Sequence, residues 1–174
     1  MWSGYIYLGG NWSWTFGTNT NIKVNKTLYL DLNGHTLTLK GASTWSAIDI
    51  YNGSSLYLID SSSGKTGKIV MDSGAKFDHA IYMQDSGGLF EMRGGTISGF
   101  KNATNGGAVY VGNGCTFNMK GGTISDCTLS SYGSCGGGVY VESNGTFNMS
   151  GGTIQNCKAD RGGAVYLLGR EKCT

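Results

Sequence analysis

Four tyrosines stand at equivalent places in short apolar runs of the sequence: Tyr82, Tyr110, Tyr140 and Tyr166. Apolar residues flank each of them, and Ile48 and Ile50 flank Asp49 in the same way. Neighbouring side chains on a β-strand point to opposite faces. If the apolar neighbours face a core, the four tyrosines and Asp49 therefore form one outward column.

Such a column has two interpretations. Aromatic rings on adjacent strands can stack on one another and rigidify a sheet. The same rings can also form a flat platform for sugar rings or for a partner protein. Asn113, Glu142 and Asn144 are close to the tyrosines in sequence, and such polar groups orient a bound ligand. We therefore take the four tyrosines with these three residues as the candidate ligand-binding set.

A repeated motif positions these residues. The pattern Phe-x-Met-x-Gly-Gly-Thr-Ile occurs at 90–97, 117–124 and 147–154, with spacings of 27 and 30 residues, and Gly-[Ala/Gly]-Val-Tyr follows each copy. We extend the repeat upstream by placing Leu30 and Leu32 at the Phe and Met positions, and Tyr57-Leu58-Ile59 in the next copy. This gives five coils between about residues 27 and 168. A period of this length, divided by glycines, is typical of a solenoid.

Within each coil, apolar and polar residues alternate and no helical periodicity is sustained. This pattern predicts three short strands per coil. The fold class is therefore all-β, a single-stranded parallel β-helix. We expect it to be right-handed, as parallel crossovers are. The predicted β-helix domain is 27–174, truncated at its C-terminus or pairing there with another subunit. A further outward column is predicted to be a solvated face; its members are Asp31, Leu58, Glu91, Asn118 and Asn148.

The first 26 residues differ from the repeat. Tyr5-Ile6-Tyr7-Leu8 and the segment 11–16 flank Gly9-Gly10, which predicts a β-hairpin. We expect this aromatic hairpin to cap the first coil, as open solenoids require. A carbohydrate-stacking patch is the alternative.

Composition limits the classes of function. A formal net charge of +2 argues against a nucleic-acid partner. The sequence has no 18-residue apolar run, so no membrane insertion is expected, and any export signal is expected to have been removed or to lie outside this sequence.

Cys127 and Cys157 match Phe100 in position, which predicts an inward column, although a disulfide between them remains an alternative. The remaining cysteines lack ligand spacing, so no metal or cofactor is expected.

Catalytic residues are not assigned. A glycosidase needs two carboxylates about 5 to 9.5 Å apart. Asp31 and Glu91 share a predicted column but are two coils apart, and Asp49 and Glu142 do not align. Asp78-His79, with Lys101 in the next coil, is the best local cluster of reactive groups.

The motifs Gly-Gly-[Ala/Gly]-Val-Tyr-Val and Gly-Thr-Phe-Asn-Met-[Lys/Ser]-Gly-Gly-Thr-Ile resemble right-handed β-helix repeats of bacterial surface proteins, within the pectate-lyase-like superfamily. The Gly-Gly-Ala-Val motif is also similar to that of the polymorphic outer-membrane adhesins. The resemblance implies an exported bacterial module that binds a glycan or a host or cell-surface protein. The alternative is a carbohydrate-active enzyme, either a glycoside hydrolase or a polysaccharide lyase, or a subunit of one. End-to-end self-association of the solenoid is a further expectation.

Overall fold

The computed structural model describes residues 3–18, 20–42, 46–84, 86–101 and 105–169. These residues form three six-stranded parallel sheets, and successive strands of the chain enter the three sheets in turn. The architecture is therefore an all-β parallel solenoid of about six rungs, which confirms the predicted fold class. In the described part of the chain, no helix is long and apolar enough to cross a membrane.

The strands of each sheet stack in chain order. The first sheet contains β1 (Ser3–Tyr7), β4 (Thr27–Asp31), β7 (Ser55–Ile59), β10 (Leu89–Met92), β13 (Thr116–Met119) and β16 (Thr146–Met149). The second sheet contains β2 (Trp12–Phe16), β5 (Thr36–Gly41), β8 (Lys68–Met71), β11 (Thr96–Ser98), β14 (Thr123–Ser125) and β17 (Thr153–Gln155). The third sheet contains β3 (Ile22–Val24), β6 (Ile48–Ile50), β9 (Ile81–Met83), β12 (Val109–Val111), β15 (Val139–Val141) and β18 (Val165–Leu167).

The repeated Phe-x-Met segment builds the core. Phe90, Phe117 and Phe147 are in register, with ring centroids 4.8 Å and 5.0 Å apart, and Phe90 and Phe117 are fully buried. Burying one such side chain contributes roughly 1.5–3 kcal/mol. Phe100 and Cys127 are also fully buried, which confirms the predicted inward column. The cysteines of this column are free thiols, so the disulfide alternative is not formed.

The backbone conformation at the Gly-Gly corner explains why glycine recurs there in each copy of the motif. The second glycine has φ of 85° at Gly122 and 88° at Gly152, a region that side-chain-bearing residues rarely adopt. A Cβ at either position would also lie 2.7 Å from a backbone carbonyl oxygen of the preceding rung. The corner therefore needs glycine for both its conformation and its space.

The predicted N-terminal hairpin is wrong. β1 and β2 belong to different sheets, and each pairs in parallel with the second rung, through β4 and β5 respectively. Gly9 and Gly10 turn the chain around one corner of the solenoid. The alternation of the two strands explains this outcome, because Ile6 aligns with Leu30 and Trp14 with Leu39, which extends existing inward columns. The segment is thus an additional rung. The domain boundary at residue 26 and a capping role stay predictions.

The predicted alignment of the second and third rungs is also wrong. Glu91 pairs with Tyr57, and Tyr57 pairs with Tyr29, whereas Leu58 is fully buried. The outward column therefore contains tyrosines where Asp31 and Leu58 were expected. The error arose because the corner from Asp31 to His35 is longer than the later Gly-Gly corners, which shifted the alignment.

Buried carboxylates stabilise the longer corners. Asp60 is 2% exposed and accepts hydrogen bonds from the backbone N–H groups of Gly34 at 2.8 Å and Gly67 at 2.7 Å. Asp31 accepts from those of Asn33 at 3.0 Å and Ser61 at 2.9 Å. Burial alone would raise the pKa of both carboxyls, but the donated hydrogen bonds outweigh it and lower the pKa. Both acids are therefore structural.

Candidate functional site

The predicted tyrosine column exists on the outside of the third sheet. Tyr82, Tyr110, Tyr140 and Tyr166 are paired rung by rung, and Asp49 precedes them in register. Successive ring centroids are 5.0, 5.1 and 5.6 Å apart. We call these four residues the third-sheet tyrosine column.

Three of the four rings, Tyr110, Tyr140 and Tyr166, stack along the column, whereas Tyr82 is tilted by 46° to Tyr110. Tyr140 and Tyr166 are inclined by only 8°, and Tyr110 and Tyr140 by 27°. Tyr140 is 7% exposed, and the other three members are half-buried. The faces of Tyr110 and Tyr140 are therefore covered by their neighbours. The column therefore forms the mutual stack of the first interpretation and not a flat platform of exposed ring faces.

A polar cluster lies beside this column, at the corners that follow β12 and β15. The Tyr110 hydroxyl donates to Glu142, which also accepts from the backbone N–H of Asn113 at 3.0 Å and from the side-chain amide of Asn113. The backbone N–H of Asn144 donates to Asn113 Oδ1 at 3.2 Å. Burial, followed by the hydrogen bond to Glu142, raises the pKa of Tyr110, which keeps the phenol protonated. The structure thus brings the predicted polar residues together beside Tyr110, an interior member of the tyrosine column.

His79 borders the Tyr82 end of the column. Its ring stacks on Tyr82 at 5.2 Å with a 5° inclination, and it lies 5.2 Å from the Tyr110 ring. Its Nδ1 is 2.7 Å from the carbonyl oxygen of Gly106. Burial lowers the pKa of His79 to about 4, so the imidazole is neutral at pH 7. A neutral ring with Nδ1 donating to Gly106 extends the stack and does not add charge.

A second tyrosine column lies on the outside of the first sheet and was missed in the sequence. Tyr5, Tyr29 and Tyr57 are in register, with centroid separations of 6.2 and 4.6 Å. The Arg93 guanidinium lies 4.9 Å from the Tyr57 ring centroid, in a cation–π contact. The sequence signal was the repeated Leu-Tyr-Leu at 28–30 and 56–58. We call these three residues the first-sheet tyrosine column.

The acidic residues considered for catalysis are dispersed. Asp31 is buried in a corner, whereas Glu91 lies on the first sheet and forms ion pairs with Arg93 at 2.6 Å and Lys120 at 2.8 Å. Burial opposes ionisation of Glu91, but the hydrogen bonds from these two cations lower its pKa overall.

On the third sheet, the Asp49 carboxylate accepts hydrogen bonds from Asn21 and Ser46. Asp78 is half-buried next to His79, and burial raises its pKa. Lys101 is exposed in the following rung. Among the residues that the structure describes, no three His, Cys, Asp or Glu side chains are grouped to hold a metal ion.

Comparisons with protein-family models, curated proteins and solved structures give no match for this chain.

Proposed function

We propose that this chain is a recognition module that binds glycans along the outside of its third sheet. The observation that carries the proposal is the unbroken register of Tyr82, Tyr110, Tyr140 and Tyr166 beside the Asn113–Glu142–Asn144 cluster. A polymer of repeating sugars would meet the same chemical group at each rung. Several weak contacts would then add to a useful affinity through multivalency.

The ring arrangement determines the mode of binding. Because the tyrosines stack on one another, a glycan would lie against ring edges and exchange hydrogen bonds with the phenol hydroxyls, which both donate and accept. Glu142 and Asn113, beside Tyr110, would fix the register of the chain of sugars by accepting and donating hydrogen bonds there.

We propose an extracellular location, at the surface of a bacterial cell or secreted from it. The motif resemblance to right-handed β-helix repeats of bacterial surface proteins, in the pectate-lyase-like superfamily, supports this location and an adhesin-like role. The solenoid geometry supports the adhesin-like role, because the three sheets offer extended contact surfaces.

The test removes the hydroxyls and keeps the rings. The triple substitution Tyr82→Phe, Tyr140→Phe and Tyr166→Phe should preserve stacking and the far-UV spectrum. It should also weaken, by at least about tenfold, binding to any glycan that the parent chain retains on a broad array, since each lost hydrogen bond contributes about 1 kcal/mol.

The matched control is the double substitution Tyr29→Phe and Tyr57→Phe in the first-sheet column, which should leave glycan affinity unchanged. Parent protein that binds no glycan, or a triple variant that binds as tightly as the parent, would overturn the proposal. Retained binding to a cell-surface protein in the absence of glycan binding would assign the site to a protein partner.

A further inference from the structure

The first and sixth rungs of the described solenoid expose side chains that belong to the core. In the first rung, Ile6 is 48% exposed, Trp12 62% and Trp14 53%, although all three continue inward columns. Together with residues of the next rungs, they line an apolar cavity of about 380 Å³. In the sixth rung, Met149 is 47% exposed and Leu167 63%. Exposed apolar surface of this kind marks an interaction site.

The strand edges restrict what can cover these ends. β1, β2 and β3 are the edge strands at one end of the three sheets, and β16, β17 and β18 are the edge strands at the other end. An edge strand presents backbone N–H and C=O groups that can pair with another strand. A small apolar ligand could fill the cavity but could not pair with these groups. A polypeptide in β conformation satisfies both requirements.

The two ends are complementary in register. Following the pairing through the first sheet, Gly4 and Ile6 stand in the same columns as Phe147 and Met149. If β1 of one molecule followed β16 of another, the Phe147 ring would lie over Gly4, which has no side chain. Met149 would pack on Ile6.

The other two sheets continue in the same way. In the second sheet, the column of Trp12 ends at Ile154. In the third sheet, the column of Ile22 ends at Val165. In all three sheets, therefore, an apolar or glycine position at one end meets an apolar side chain at the other end.

We propose that the N-terminal rung of one molecule docks onto the C-terminal rung of a second copy, so that the three parallel ladders continue across the junction. The contact is heterologous, because two different surfaces meet. Such contacts extend into open chains unless a rotation closes them. The sequence contains no proline, so neither edge carries that common block to strand addition.

The experiment uses two variants, each with a charge at one end only. Ile6→Lys blocks the N-terminal end, and Met149→Lys blocks the C-terminal end. Sedimentation velocity of the parent chain should show an average mass that rises with concentration, whereas each variant alone should stay monomeric. An equimolar mixture of the two variants should form a heterodimer and stop there, because only one pair of open ends remains.

Controls separate this result from misfolding and from other arrangements. Asn148→Lys, on the outside of the same strand as Met149, should associate like the parent. Leu167→Lys should reproduce Met149→Lys at a second, highly exposed position, and far-UV spectra should show that all variants are folded. A parent chain that is monomeric at every concentration overturns the proposal. Dimerisation of either Lys variant alone also overturns it, because that result requires two like ends to meet.

Discussion

The fifth and sixth rungs have almost the same sequence but different surroundings. Residues 116–125 and 146–155 differ only at Lys120/Ser150 and Ser125/Gln155. The corner glycines Gly122 and Gly152 have the same backbone conformation. Met119, however, is fully buried, whereas Met149 is 47% exposed. The motif therefore determines the backbone of a rung, and the neighbouring rungs determine how much its side chains stabilise the fold.

The largest difference in stability between the fifth and sixth rungs is expected for substitutions of the core phenylalanines. Phe117→Ala should lower the free energy of unfolding by roughly 3–5 kcal/mol, because it opens a cavity in a fully buried column. Phe147→Ala should cost about half as much or less, because Phe147 is only partly buried and the cavity is open on one side. Urea unfolding at concentrations where the chain is monomeric measures both losses. Equal losses would show that the sixth rung is covered in solution.

A second difference between the fifth and sixth rungs is expected for Cys127 and Cys157, which belong to the inward column of Phe100. Cys127 is fully buried and Cys157 is half-buried. Each thiol donates a hydrogen bond to the backbone carbonyl two residues earlier, at 3.3 Å. The neighbouring Cys127 thiol lowers the pKa of Cys157, and the neighbouring Cys157, together with burial, raises the pKa of Cys127. Only the thiolate reacts. Iodoacetamide should therefore modify Cys157 at least roughly 100-fold faster than Cys127 at pH 8, since Cys127 must first become exposed by local opening.

The pH dependence tests the cause of this reactivity. The rate at Cys157, followed by peptide mass mapping, should reach half of its maximum at a pH below the ordinary thiol pKa of about 8.5. Cys127→Ala should move that midpoint up toward the ordinary thiol value of about 8.5. Similar rates at the two cysteines, or a midpoint that Cys127→Ala leaves in place, would contradict the prediction.

The same distinction between backbone and surroundings explains what the sequence could predict. Where the motif is strict, in the fourth to sixth rungs, the register and the third-sheet tyrosine column were predicted correctly. In the second and third rungs, the carboxylates of Asp31 and Asp60 bind corner backbone groups. In the sequence, Asp31 follows Leu30 and was assigned to the outward column of the strand. This shifted the alignment, so Tyr29 and Tyr57 were not recognised as outward residues.

The first rung was misjudged for a different reason. Two alternating segments around Gly9-Gly10 suit both a hairpin and a solenoid corner, and local sequence does not separate them. The parallel partners β4 and β5 decide between the two, and they are distant in sequence. The candidate site had a similar limit. Side-chain alternation predicted which way the tyrosines point, but the mutual stacking of their rings depends on the distance and inclination between rungs.

The smallest loss of stability is expected for substitutions on the outside of the first sheet. There, equivalent substitutions in the fifth and sixth rungs should cost similar amounts. The side-chain amide of Asn148 donates to Asn118 Oδ1 at 3.0 Å, in an exposed position. Asn118→Ala and Asn148→Ala each remove this one hydrogen bond, so each should cost well under 1 kcal/mol, and by similar amounts. The double variant should cost no more than either single variant if the bond is their shared contribution, which a double-mutant cycle in urea measures. A loss at Asn118 close to that of Phe117→Ala would mean that the inside and outside of this strand are reversed in solution.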